Sequence, residues 1–350
     1  MLFRSPIVGG IFTADASNLS MQAALPQFWE MERKHGGLLR AHQASKKGTD
    51  ESSRKQQLAE KASGARYEQF MAPKQGMRWW IDSIAARLDK TAFHLNTAID
   101  SVRREANHWR VECVPGTSHQ SKSPSRHIAV SESSFQGSTE FDGVCLAVPA
   151  KQAAKMMQIQ SPELSAELAQ IHYASSAVAV MIVNRNEIPE EILCFGVVVP
   201  KCEKRNVLAI SFTSEKYLGR VAPDEILVRV FMGGALYHDL LARSDEELME
   251  LAWQDLQFCT GIRTPPTKKR LVHWPEAMPQ YSVGHAQRVE RIGRISVELP
   301  GFALAGNAYS GVGIPQCVRS GRLAARQILN QLGVSVLDED DTAVHNQNLG

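Results

Sequence analysis

Residues 301–326 read GFALAGNAYSGVGIPQCVRSGRLAAR, and this stretch decides the fold class more than any other part of the chain. The pattern predicts a short apolar strand, a turn punctuated by glycines, and a helix whose first turn contains Pro315. Glycines let the backbone approach a ligand closely, and a helix N-terminus presents unpaired N–H groups with a partial positive charge. The stretch is therefore suited to hold an electron-rich ring or a phosphate. An ordinary strand–turn–helix unit of an α/β protein has the same spacing, so spacing alone leaves both interpretations open.

Length and composition indicate a folded globular protein without a bias toward polyanions. The chain has 350 residues, of which 43% are hydrophobic and 22% are charged. This length suffices for one large domain or two interleaved domains. A formal net charge of +2 gives no overall attraction to nucleic acid, so no nucleic-acid partner is expected.

The six cysteines are scattered without C-x-x-C spacing, which predicts neither a zinc site nor a disulfide framework and favours a reducing cytoplasm. The first residues lack the charged and apolar segments of a signal peptide, and no run of 18 or more apolar residues occurs. We therefore expect a cytoplasmic protein. Peripheral contact with the inner membrane and a homodimer stay open.

Local patterns predict a mixture of helices and strands. Enrichment in Val and Ile and alternation predict a strand and turn at 93–102 and strands at 109–114, 141–149, 177–183, 195–199, 207–212 and 226–231. Helices are predicted over most of 1–45, at 77–88, at 162–171, and from a capping box of Ser244 and Glu247 to Phe258. The charged loop 45–64, the Ser/Gly/Pro-rich insertion 115–138 and the acidic tail after 333 are predicted to be flexible.

Four blocks of the sequence resemble the oxygen-dependent protoporphyrinogen/coproporphyrinogen oxidases of the flavin amine oxidase superfamily. The blocks are SPIVGGIFTAD with LSMQAALP at residues 5–26, Gly76-Met77 before an amphipathic helix, HWPEAMPQY at 273–281 followed by Gly284-His285, and the glycine-rich stretch quoted above. They stand in the family's order and span about residues 5–330. The third block is the most specific to porphyrinogen oxidases.

The resemblance implies an α/β (α+β) fold of the flavin amine oxidase type, with an FAD-binding domain and an interleaved mixed-sheet substrate domain. On this basis 1–66 is a helical remnant of the substrate-entrance or membrane-facing region, 67–160 and 286–332 belong to the FAD-binding domain, 161–285 is the substrate domain, and 333–350 is a disordered tail. The implied activity, in haem biosynthesis, is the six-electron oxidation of a porphyrinogen to a porphyrin. FAD accepts each hydride and O₂ reoxidises it.

The resemblance also implies the site residues. Those expected to contact FAD are Ile99, Trp274, Gly306, Asn307, Val312, Gly313 and Ile314. Phe212 is expected to stack on the macrocycle, although core packing is the alternative, and Ala14 stands near the substrate where the family usually has glycine. The flavin carries the chemistry, so no catalytic side chain and no metal are expected. Arg78, Arg229 and Arg288 are candidates for binding substrate propionates, and the sequence does not select among them.

One expected element does not occur in this sequence. Such flavoenzymes bind the FAD pyrophosphate with a strand, a G-x-G-x-x-G loop and a helix. The glycine pairs at 9–10, 36–37 and 233–234 do not match that pattern. We therefore expect a chain that lacks the N-terminal dinucleotide-binding segment. Three explanations for this absence stay open. The sequence is truncated, its start codon was assigned too late, or the protein is genuinely shortened and binds FAD poorly.

Two other functions remain as alternatives at this point. A related flavin enzyme that oxidises an amine is the first, although the block at 273–281 argues against it. The second is a cofactor-free remnant or partner subunit, which the absence of G-x-G-x-x-G favours and the retained glycines at 306–313 disfavour. The substrate, protoporphyrinogen IX or coproporphyrinogen III, is not decided by residues near the flavin.

Overall fold

The computed structural model describes residues 9–10, 12–37, 40, 71–88, 93–95, 97–113 and 138–334. Helices α1 to α9 span Met21–Ala24, Pro26–His35, Met77–Ala85, Ala150–Met157, Pro162–Ala169, Thr213–Lys216, Asp245–Thr260, His285–Val297 and Ile314–Gln331. Strands β1 to β10 span Ile99–Glu105, His108–Cys113, Ser138–Phe141, Val144–Leu146, Tyr173–Asn184, Gly196–Val198, Val207–Phe212, Glu225–Gly233, Lys268–Pro279 and Phe302–Leu304. Of the stretches predicted to be flexible, 45–64, residues 115–137 of the insertion and residues 335–350 of the tail lie outside the described residues, whereas Ser138, the last residue of the predicted insertion, begins β3.

The chain divides into two units, each built from two segments. Unit 1 comprises Met1–Asp89 and Tyr173–Val283, and unit 2 comprises Lys90–His172 and Gly284–Gly350. Helix α3 therefore falls in unit 1 and helix α5 in unit 2. The assignment of FAD binding and substrate binding to particular segments stays a prediction.

Unit 1 is built on an antiparallel sheet of five strands in the order β6-β7-β8-β5-β9. Alternate residues of β8, among them Ile226, Val228 and Val230, are fully buried, which is the period-2 pattern of a strand with one core face. These side chains pack with Leu248 and Leu256 of α7 in the largest core cluster of the described residues. The other face of the sheet, called here the non-core face, is less buried.

Helix α7 begins at a complete capping box. The Ser244 hydroxyl accepts from the backbone N–H of Glu247 at 3.2 Å, and the Glu247 carboxylate accepts from the backbone N–H of Ser244 at 3.0 Å. Two N–H groups that the helix itself cannot satisfy are thereby paired. This confirms the predicted helix start.

Unit 2 contains an antiparallel sheet of β1, β2 and β3, and a parallel pair formed by β4 and β10. Helix α9 packs on β10 through Ala324, which joins Ala303 and Ala305 in a cluster of small residues. Trp109 is fully buried, donates from its indole N–H to the Pro300 carbonyl at 2.9 Å, and stacks obliquely on Phe302. These contacts hold the three-stranded sheet to the segment that precedes β10.

Most predicted elements are confirmed, two differ in detail, and several elements were not predicted, among them β9, α4 and α8. Strand β1 begins at Ile99 and runs to Glu105, so residues 93–98 do not belong to it. The single strand predicted at 141–149 is two short strands, β3 and β4, because residues 142–143 separate them. Strand β9 was not predicted, although it is one of the two longest strands described.

Candidate cofactor and substrate sites

The glycine-rich loop connects β10 to α9 in unit 2. Gly306 and Gly311 have φ values of 125° and 121°, a region that favours glycine because other residues carry a Cβ. The backbone N–H of Gly306 donates to the Ser320 hydroxyl at 3.1 Å, which ties the start of the loop to α9. Gly313 is the N-cap of α9, where no side chain caps the helix and no acidic residue stands in the first turn. The positive end of α9 is therefore not neutralised by its own sequence.

The surroundings of the glycines differ along this loop. Nothing lies within 4 Å of the position that a Cβ would take at Gly306, so the backbone faces open space there. A Cβ at Gly311 would come within 2.5 Å of the Gln316 side chain, and one at Gly313 would also collide with Gln316. Ile314 is 51% exposed at the start of α9. An open glycine, an exposed apolar residue and an uncapped helix start fit a flat electron-rich ring, so the residues present are compatible with a flavin.

His285, the first residue of α8, contacts the backbone of this loop. Its side chain is only 2% exposed and interacts with the backbone of Ala308 and Tyr309. Burial lowers the pKa of His285 to about 4, and the nearby Arg288 guanidinium lowers it further, while the two backbone interactions oppose these effects. At neutral pH the imidazole is therefore uncharged. The sequence placed His285 in a family block but gave it no role, since its partners lie more than 20 residues further along the chain.

Ile99, the remaining residue expected near FAD in unit 2, is the first residue of β1 and pairs with Cys113 of β2. The ladder is irregular between Ile99 and Ser101, which leaves the backbone at the strand start outside regular pairing. This geometry suits a residue that contacts a ligand through backbone groups, and contact of Ile99 with FAD stays a prediction.

Residues 273–279 of the block HWPEAMPQY form the second half of β9, Gln280 and Tyr281 follow the strand, and the block makes several contacts within unit 1. His273 contacts the Asp245 carboxylate of α7 at 2.8 Å. Trp274 is 53% exposed and pairs with Ser176, which places it on the non-core face of the sheet. Gln280 donates to the Phe12 carbonyl at 3.1 Å, and the buried Tyr281 ring lies 5.6 Å from the Phe12 ring. Much of the block is therefore structural, while Trp274 is exposed on the non-core face, and its contact with FAD stays a prediction.

Ala14 lies in the N-terminal segment that this block anchors. It is 2% exposed, and its backbone N–H donates to the Gly9 carbonyl at 3.0 Å. Hydrogen bonding by the Ser17 side chain, followed by its backbone N–H, lowers the pKa of the adjacent Asp15. A mostly apolar cavity of about 390 Å³ opens beside them, lined by Gly9, Gly10, Ala14, Asp15, Ala16, Ser17, Val199, Lys201, Leu208, Leu236 and Tyr237. Ala14 therefore lines a cavity, and its proximity to a substrate stays a prediction.

Phe212 lies on the face of the sheet opposite to Trp274. It pairs with Val228 of β8, is 0% exposed, and belongs to the core cluster under α7. The alternative weighed for this residue, plain core packing, describes its position. Stacking on a macrocycle stays a prediction that the burial of the ring does not favour.

The predicted residues therefore form separate groups. Ile99, Gly306, Asn307 and 312–314 are in unit 2, whereas Ala14, Phe212 and Trp274 are in unit 1. Within unit 1, Trp274 shares the non-core face with Arg229, and Phe212 does not. Among the described helices none is both long and apolar enough to cross a membrane.

Comparison with known proteins places this fold in a class. A crystal structure from Exiguobacterium sp. 255-15, of a protein provisionally described as a protoporphyrinogen oxidase, matches with a TM-score of 0.69 at 24% identity over 94% of this chain. The fold is that of FAD-binding proteins of the flavin amine oxidase type. A family model, flavin containing amine oxidoreductase, matches residues 2–329. The chain belongs to this family.

Two curated relatives of this chain are porphyrinogen oxidases. The coproporphyrinogen III oxidase of Bacillus subtilis strain 168 is 25% identical over 328 residues, and the protoporphyrinogen oxidase 2 of Arabidopsis thaliana chloroplasts and mitochondria is 25% identical over 341. Each match covers 93% of this chain and 63% of the relative. The Exiguobacterium structure is likewise covered to 63%. The chain thus spans somewhat less than two thirds of the length of these proteins.

Proposed function

We propose that this chain takes part in the FAD-dependent oxidation of a porphyrinogen, protoporphyrinogen IX or coproporphyrinogen III, to the porphyrin with O₂ in haem biosynthesis. The observation that carries the proposal is the open loop at Gly306 and the uncapped start of α9, in a chain whose curated relatives are porphyrinogen oxidases. When bound, the flavin accepts hydride from the substrate and passes the electrons to O₂.

The residues of the glycine-rich loop would hold the flavin by position and charge. Gly306 leaves room for the ring, and Val312, Gly313 and Ile314 bring the positive end of α9 toward it. A partial positive charge at that point stabilises a ring that becomes electron-rich on reduction. Neutral His285 keeps the loop in place without adding a full charge beside it.

The test is FAD binding by the purified chain, followed by its activity. FAD is titrated in and flavin fluorescence recorded, for the native chain and for Gly306→Ala. We expect the variant to bind at least about 10-fold more weakly, because its methyl group enters the open space beside the loop. Gly261→Ala is the matched control, since Gly261 also has positive φ and open space but lies in unit 1.

Activity is measured as the appearance of porphyrin fluorescence from protoporphyrinogen IX and from coproporphyrinogen III in the presence of FAD and O₂. Formation of either porphyrin faster than the control without protein supports the proposal and identifies the substrate. No FAD binding by the native chain, or equal binding by both glycine variants, would contradict the assignment of the loop. Turnover of a primary amine without porphyrin formation would move the protein to the amine-oxidising members of its family.

A further inference from the structure

The non-core face of the five-stranded sheet carries a half-buried cation, Arg229. Arg229 lies at the middle of β8, in register with Ser211 of β7 and with Val180 of β5, which in turn pairs with Arg270 of β9. Directly paired residues of an antiparallel sheet share a face, so this row of side chains lies opposite the core. Among the described residues, no carboxylate forms an ion pair with Arg229.

The other two arginines considered from the sequence are already engaged. Arg78 lies 3.7 Å from the Asp82 carboxylate, and Arg288 lies 3.5 Å from the carboxylate of Glu167, which also binds Arg291. Both therefore have acidic partners within their own units. Arg229 thus differs from the other two candidates, because each of those has an acidic partner among the described residues.

The local structure keeps the Arg229 guanidinium in place. Its Nε donates to the Thr213 hydroxyl at 2.8 Å, and its centre lies 5.6 Å from the centroid of the Phe231 ring. These contacts occupy one edge of the fork and leave the two Nη groups directed elsewhere. A guanidinium fixed at Nε is prepared for bidentate binding of a planar oxyanion.

A second positively charged group lies near Arg229. Burial lowers the pKa of Lys216 on α6, and the charge of Arg229 lowers it further. Burial also lowers the pKa of Arg229. The acidic residue of the same helix, Glu215, is bound to Arg185. The charge of Lys216 therefore acts on the same site as that of Arg229, and a carboxylate bound by Arg229 would be attracted by both.

We propose that Arg229, positioned by Thr213 and assisted by Lys216, is a binding site for a carboxylate carried on an apolar body. Half-buried apolar side chains surround it, including Val180, Leu227 and Phe231. Trp274 lies on the same face, two pairing rows along. This combination suits a flat apolar ligand with an acidic side chain. Resting on the proposed function, the inference assigns Arg229 to a propionate of the porphyrinogen.

The test compares a porphyrin acid with its ester on the full chain. Coproporphyrin III and its tetramethyl ester are titrated separately, in the same detergent buffer, and quenching of tryptophan fluorescence is recorded. We expect the native chain to prefer the acid by about 10-fold, since a charge-assisted bidentate contact has that order of effect. Arg229→Gln should abolish the preference and leave affinity for the ester unchanged.

Two further variants make the result specific. Arg229→Lys keeps the charge without the fork and should retain part of the preference, which also provides a reading if Arg229→Gln unfolds. Arg270→Gln removes an exposed cation from the same row and should leave the preference intact. Equal acid affinity for the native chain and a folded Arg229→Gln would overturn the assignment of Arg229 while leaving the proposed function standing.

A separate arm distinguishes this site from the proposed function. Glutarate at millimolar concentration should raise the melting temperature of the native chain and not that of Arg229→Gln. Stabilisation by glutarate without porphyrin binding would support a carboxylate site and contradict the porphyrinogen proposal. Absence of both effects would overturn the carboxylate site as well.

Discussion

Acidification should destabilise unit 2 through His285, and the variant His285→Gln isolates that effect. The native state holds this imidazole uncharged because burial lowers its pKa to about 4. An unfolded chain protonates histidine near pH 6.5. Between these two values the unfolded state binds one proton more than the native state, so the free energy of unfolding decreases as the pH falls.

The size of the effect follows from the gap between the two pKa values. Each unit of separation corresponds to about 1.4 kcal/mol, and the separation is about 2.5 units, which gives about 3 kcal/mol lost between roughly pH 6.5 and pH 4. Above about pH 7 both states carry a neutral imidazole, and the contribution no longer changes. A loss of this size is a large fraction of the stability of a typical domain.

The assay is urea unfolding followed by circular dichroism, at several pH values between about 7 and 4, for the native chain and for His285→Gln. Other groups titrate in this range, so the informative quantity is the difference between the two proteins at each pH. Glutamine keeps a donor that can reach the backbone at Ala308 and Tyr309 but takes up no proton. We expect the native chain to lose about 3 kcal/mol relative to the variant across the range.

A difference that stays constant with pH would refute this reasoning, because it would mean that His285 titrates alike in the folded and unfolded chain. A direct check is the NMR titration of the His285 ring in the folded protein. A midpoint near 6.5 would show that the imidazole is accessible and that it does not hold the glycine-rich loop in a neutral form.

Two structural contacts give further predictions. Ser244→Ala removes the capping box at the start of α7 and should cost about 1 kcal/mol, measured as a lower urea midpoint with an unchanged slope. Ser244→Thr, which keeps the hydroxyl, should retain most of that stability, and an equal loss in both would exclude capping as the cause. Trp109→Phe removes the indole donor to the Pro300 carbonyl and leaves a cavity, which should cost about 2 kcal/mol in thermal or urea unfolding. Because Arg104 also donates to this carbonyl, a loss well above about 4 kcal/mol would show that Trp109 has a role beyond this contact.

Local signals in the sequence predicted those parts of the fold that local physics determines. The enrichment and alternation at 226–231 identified β8, and Ser244 with Glu247 identified the start of α7. In each case the pattern and the structure that it specifies lie within a few residues. The glycines and Pro315 likewise identified the strand, the turn and α9.

Features that depend on distant partners could not be predicted in this way. Strand β9 contains Pro275 and several charged residues, and it forms only because it lies at the edge of the sheet and pairs with β5. The side of the sheet on which Phe212 falls depends on an irregularity between Val207 and Ala209, which shifts the alternation. The neutral state of His285 depends on the backbone at Ala308 and Tyr309. None of these has a local sequence signal.

The division of each unit between two stretches of chain also has a consequence for biosynthesis. Strand β4 leaves the ribosome on the order of 160 residues before its partner β10, and the second segment of unit 1 is translated between them. The N-terminal segment of unit 1 is separated from its partners by a still longer stretch of chain, since Ser20 and Asn18 form backbone hydrogen bonds with Tyr281 and Val283. Neither unit is therefore complete until its second segment has been translated. Until then the edge of β4 and the apolar side chains of both units stay uncovered, so chaperones that bind nascent polypeptides should associate with this protein late into its synthesis.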